Sequence, residues 1–83
     1  MNPRVTQAVC HDDFTIALTF SNGESRRFDA RPYLDYPVFQ PLQNSVYFQR
    51  GMVAHGTVVW PQEEDFCPDT LYLESQPLVR EAA

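Results

Sequence analysis

The absences in this 83-residue sequence narrow the field first. Its apolar runs are no longer than four residues, far short of the ~20 that a membrane-spanning helix needs. No basic-then-apolar leader pattern opens the chain, so a soluble protein of the cytoplasm is expected. Glycine is scarce, at three residues, and none sits in a loop built to cradle phosphate. No serine occupies a GxSxG elbow. Cys10 and Cys67 are too far apart to make a CxxC redox motif or a metal-binding pair. Two buried, reduced thiols are expected rather than a disulfide. Repeats and low-complexity segments are missing as well.

Positive charge is also in deficit. The formal net charge is −5, and it is unevenly placed. Residues 1–61 hold five arginines against five acids, while residues 62–83 hold Arg80 against Glu63, Glu64, Asp65, Asp69, Glu74 and Glu81. Nucleic-acid affinity comes largely from neutralising phosphates with Lys and Arg, so direct DNA or RNA binding is disfavoured. Arg26, Arg27 and Arg31 are the only candidates for it, and Arg26 and Arg27 would face opposite sides of a strand. An acidic surface suits a basic partner.

Aromatic residues are plentiful, eleven within a 43% hydrophobic composition. That is enough for one core, although a chain of this length buries only about 60% of the surface its unfolded form exposes. Strand signals come first. Val5 to Cys10 is a strand candidate with Val5, Gln7 and Val9 on one face. Phe14 to Phe20 alternates strictly, with Phe14, Ile16, Leu18 and Phe20 facing a core. Ser21-Asn22-Gly23 turns the chain, and Glu24 to Phe28 returns it. Pro32 and Pro37 then break regularity, leaving Tyr33, Leu34 and Tyr36 to tuck beneath the sheet. Pro37 to Gln43 predicts a short helix, limited by Pro41. At Val46-Tyr47-Phe48 strand propensity and a helical turn compete, and both stay open. His55-Gly56 joins Met52–Ala54 to Thr57–Trp60 as a hairpin. Pro68 and Asp69 start a helical turn that returns Leu71 and Tyr72 to the core.

The expected fold is α+β: an antiparallel twisted sheet, made of an N-terminal three-strand meander plus a C-terminal hairpin, with one short helix packed on a face. Residues 1–73 would form the single domain and 74–83 a flexible acidic tail.

In this order and spacing, Leu18-Thr19-Phe20-Ser21-Asn22-Gly23-Glu24, Asp29-Ala30-Arg31-Pro32, Val38-Phe39-Gln40-Pro41-Leu42 and Val59-Trp60-Pro61 with Asp65, Pro68, Leu71 and Tyr72 resemble a small bacterial and phage family, domain of unknown function 2442. Its fold type is that of the N-terminal domain of a Nitrosomonas protein. The resemblance implies a fold and no mechanism. It also implies membership of a two-protein unit, in some cases an antitoxin-like half. Where that family usually has glycine after the Trp-Pro pair, this chain has Glu63; if the glycine serves a positive φ, the loop here is rebuilt or strained.

No catalytic, cofactor or metal residues are assigned. Tyr33, Tyr36, Tyr47, Phe48, Met52 and Trp60 are more aromatic and soft surface than so small a core is expected to hide. The candidate interface is Tyr33, Tyr36, Trp60, Glu63, Glu64 and Asp65, facing a small protein partner with a basic surface. An exposed strand edge leaves a homodimer open. The competing reading is a small metal-dependent enzyme on His11, His55 and the Glu63–Asp65 loop, which requires those side chains to converge.

Overall fold

The computed structural model describes residues 2–78. Strands β1 (Val5–Cys10), β2 (Thr15–Phe20) and β3 (Ser25–Asp29) form the antiparallel meander. The alternation in β2 does what its period demands: Ile16, Leu18 and Phe20 are fully buried on the core face. Thr15, on the other face, is buried too, because Asp13 accepts both its N–H and its hydroxyl at 3.2 and 2.6 Å. The faces of β1 differ from the simple alternation expected. A bulge between Val5 and Gln7 adds one residue against β2, which turns Val5 inward with Cys10 and leaves Val9 outside.

Beyond β3 the prolines dictate tight helices. Arg31–Tyr33 and Pro37–Gln43 are both 3-10 rather than α. Pro41 has no N–H to return to the carbonyl of Pro37, so the wider α spacing is denied there. Helix α1 (Ser45–Phe48) settles the competition at Val46–Phe48. The Asn44 carboxamide oxygen accepts the N–H groups of Val46 and Tyr47 at 3.0 and 3.2 Å, a cap that favours helix over strand.

Strands β4 (Met52–Ala54) and β5 (Thr57–Val59) make the expected hairpin, as a separate two-stranded sheet. It packs against β1. The Gly56 carbonyl accepts the Val5 N–H at 2.9 Å, and at the other end a Cβ on Gly51 would stand 2.8 Å from the Cys10 sulfur and the Trp60 ring, so only glycine fits. The flank of β5 is covered by residues 65 and 66: Val59 bridges Asp65, and the Thr57 hydroxyl donates to the Phe66 carbonyl at 2.5 Å.

Helix α2 (Pro68–Leu73) opens on its proline and buries Leu71 completely. The segment expected to be a tail from Glu74 begins otherwise. Gln76–Pro77 is a short strand, β6, paired antiparallel with β3. What holds it is Arg26, whose guanidinium donates to the Ser75 hydroxyl and carbonyl, each at 2.6 Å, while lying 4.8 Å over the Tyr72 ring. A tie spanning 49 residues leaves no local signal in the sequence. The Leu78 N–H donates to the Ser25 carbonyl, so strand alternation turns the nitrogen of Pro77, which has no hydrogen, away from β3. The rest of the expected tail, residues 79–83, lies outside the described residues. The fold is therefore α+β, with a four-stranded antiparallel sheet in the order β1-β2-β3-β6, a hairpin and short helices.

The cysteines differ from expectation. Cys10 is buried and Cys67 exposed, both as free thiols. Burial pushes the Cys10 thiol up to about 11, against a smaller opposing hydrogen bond from the Gly51 backbone, so it stays protonated and unreactive near neutrality.

Candidate functional site

The acidic segment after Trp60 folds as a tight turn. Glu63 donates its N–H to the Trp60 carbonyl at 2.8 Å, and Trp60 donates its own to the Glu64 carbonyl at 2.9 Å. Closing this turn puts Glu63 at φ 75°. The left-handed region favours glycine, so glutamate there costs roughly 1–2 kcal/mol. The suspected need for positive φ at this position is real, and here a side chain bears it.

The turn is held from within. Trp60 is only 2% exposed, packs near Phe48 and Phe66 at 5.6 and 5.8 Å between ring centres, and donates its indole N–H to the Phe48 carbonyl at 2.7 Å. Glu64 is 7% exposed. Its carboxylate accepts the Tyr47 hydroxyl at 2.7 Å, and that hydroxyl in turn accepts the Gln62 N–H at 2.8 Å. Desolvation first, and the Glu64 contact second, hold the Tyr47 phenol above its ordinary value, so it remains a donor. Trp60 and Glu64 therefore build the turn and offer no surface, which corrects their place in the expected interface.

Glu63 and Asp65 are exposed. Met52 pairs with Val59 across the hairpin, and Val59 with Asp65, so the three lie in one cross-strand row. Met52 is 61% exposed and Val59 half-buried. A soft apolar side chain and a carboxylate thus share one outer row, next to the turn that carries Glu63. No local pattern in the sequence links Met52 to the acids, because the link depends on strand register. Tyr33 and Tyr36 are elsewhere. Tyr33 is half-buried, stacked on Phe28 at 5.3 Å and edge-on to Phe66 at 5.6 Å. Tyr36, 54% exposed, meets Tyr33 at 6.1 Å. Phe66 is the ring shared with Trp60, so the aromatic candidates meet through the core rather than on one surface. Tyr47 is half-buried in the clamp and Phe48 fully buried.

The groups for metal or acid-base chemistry do not converge. His55 sits at the hairpin tip beside the Gly56 that binds Val5, while His11 follows Cys10 at the other end of β1. Along β1 that is roughly 16 Å, at ~3.3 Å per residue. Among the described residues no group of three or more His, Cys, Asp or Glu is arranged to hold a metal ion.

Arg26, Arg27 and Arg31 are engaged as well. Arg26 points inward with a side chain 14% exposed and pairs with Glu24 at 3.0 Å; Arg27 points outward at 56%, with Asp13 at 4.0 Å. Arg31 forks onto Asp29, and that contact is the main reason the Asp29 carboxyl lies below its ordinary value. Arg27, Asp29, Arg31 and Glu74 line an open cleft of about 420 Å³. Two cations against two anions give it no net attraction for phosphate.

Among the described residues no helix is long and apolar enough to cross a membrane. The family model described as "Protein of unknown function (DUF2442)" matches residues 5–77, nearly the whole chain. No curated protein and no solved structure matches the chain.

Proposed function

The chain belongs to that family of unknown function, and from this premise we propose that it is a non-catalytic protein-interaction module that receives a basic partner on the outer face of its hairpin. It would be the accessory, antitoxin-like half of a two-protein unit. The observation that carries the reading is the Met52–Val59–Asp65 row beside exposed Glu63. An apolar contact flanked by carboxylates on a stiff turn matches what basic-partner interfaces use: a soft anchor that buries area, and charges that steer approach and fix register. Charge distribution supports it, because residues 62–78 contain five acids and no Lys or Arg.

The test is recovery of a stoichiometric partner with the untagged protein at natural abundance, repeated with Met52→Glu and with Glu63→Lys/Asp65→Lys. Charge reversal is expected to abolish co-purification and, for the isolated pair, to slow association most strongly at low salt. A partner held equally well by all three proteins would overturn this surface, and absence of any partner would overturn the module.

A further inference from the structure

Asn22 and Gly23 form the tip of the β2–β3 turn, and the side-chain contacts of Asn22 lead through Glu24 to helix α2. Asn22 is exposed. Gly23 has φ 89° and no side chain of its own to crowd the turn, and apart from its two chain neighbours nothing lies within 4 Å of where a Cβ would be. The Asn22 amide nitrogen donates to Glu24 Oε2 at 2.5 Å. The same Oε2 accepts the Tyr72 hydroxyl at 2.5 Å, while Glu24 Oε1 accepts from Arg26 at 3.0 Å. Arg26 in turn holds Ser75. The hairpin tip, helix α2 and β6 therefore share one polar cluster, with Glu24 at its centre.

We propose that Asn22 is a deamidation site whose product releases this cluster, so that a slow chemical change at the turn loosens α2 and β6. In the first step the Gly23 nitrogen attacks Cγ of Asn22, a C–N bond forms to close a succinimide, and the side-chain nitrogen leaves as ammonia after taking up the proton lost from the Gly23 amide. Water then opens the ring, adding OH to one carbonyl carbon and returning a proton to the nitrogen, to give aspartate or isoaspartate. No electrons are exchanged. The native turn retards the first step, because the Gly23 N–H is donated to the Phe20 carbonyl at 2.9 Å and the Asn22 oxygen accepts the Glu24 N–H at 3.0 Å. Reaction therefore proceeds through local opening of an exposed turn, the kind of opening that costs least.

The consequence follows from donor and acceptor chemistry. A donor facing Glu24 is replaced by a second carboxylate, which has acceptors only. Like charges at hydrogen-bond distance repel, and Glu24 can retain Tyr72 and Arg26 only by moving with them. Isoaspartate additionally lengthens the backbone within a turn whose register it sets.

The experiment incubates the full chain at mildly alkaline pH beside a urea-unfolded sample, digests both, and reads by mass spectrometry the conversion of amide to acid at residue 22. Native protein is expected to convert more slowly than unfolded chain but measurably, and Asn22→Gln to convert at neither rate. No native conversion by the time the unfolded sample is fully converted would overturn the modification. Asn22→Asp, made directly, isolates the consequence: amide exchange in 71–78 should rise roughly tenfold, the equivalent of losing one charge-assisted hydrogen bond. Unchanged exchange in that segment, with the fold intact, would overturn the coupling.

Discussion

Of the turns in this molecule that visit left-handed backbone, two solve the problem in opposite ways. The β2–β3 turn uses Gly23 at φ 89°, the residue that bears such a conformation at no steric cost. The turn after Trp60 uses Glu63 at φ 75°. In the first, local sequence specifies the geometry. The second keeps its geometry because Trp60 and the Tyr47–Glu64 clamp hold it from the core side. A strained turn with such support presents its two outward carboxylates in a fixed place, while the relaxed turn leans on the polar cluster at Glu24 to bind the chain end.

The contrast can be broken most strongly at its anchor. Trp60→Ala removes a buried ring and its bond to the Phe48 carbonyl, and should cost about 3–5 kcal/mol by urea unfolding. That is a large share of the stability of so small a domain. Arg26→Met acts on the other turn: it strips Ser75 and Glu24 of their partner, should cost about 1.5–3 kcal/mol, and should accelerate amide exchange in β6 before β4 and β5. A smaller pair of substitutions sharpens the comparison directly. Glu63→Gly should raise stability by about 1 kcal/mol, while Gly23→Ala should lower it by a similar amount. Equal signs for the two would mean that the turns are not opposites.

Acid gives the mildest test. Glu24 is held below the ordinary carboxylate range mainly by the Tyr72 hydroxyl, then by Asn22 and Arg26; Asp13 is held down first by the Thr15 hydroxyl and Asp29 by Arg31. A carboxyl depressed in the folded state adds stability that is fully present above its unfolded value and vanishes as pH falls through its folded value. Urea midpoints should therefore be flat from about pH 7 down to the ordinary carboxylate range near pH 4 and decline below it. Glu24→Gln should flatten that decline. An unchanged acid limb would remove Glu24 from the account.

What was legible in the sequence was local. The alternation of Ile16, Leu18 and Phe20, the His55-Gly56 turn and the Pro68 helix start all encode their geometry within a few residues. What escaped depends on distant partners. The bulge that turns Val5 inward is set by pairing with β2. Strand β6 exists through Arg26, 49 residues from Ser75, and Glu64 is buried because Tyr47 lies within reach from 17 residues away. The candidate surface divides in the same way. Exposure of Glu63 and Asp65 follows from an acidic run after a proline, whereas the burial of Trp60 and the alignment of Met52 with Asp65 are products of register.

The outward nitrogen of Pro77 sets a limit on how this protein can associate with itself. A strand from another copy arriving along β6 would find a carbonyl but no hydrogen to receive there. Such a ribbon would lack one rung at that residue, so the proline blunts this edge of the sheet against backbone-to-backbone extension.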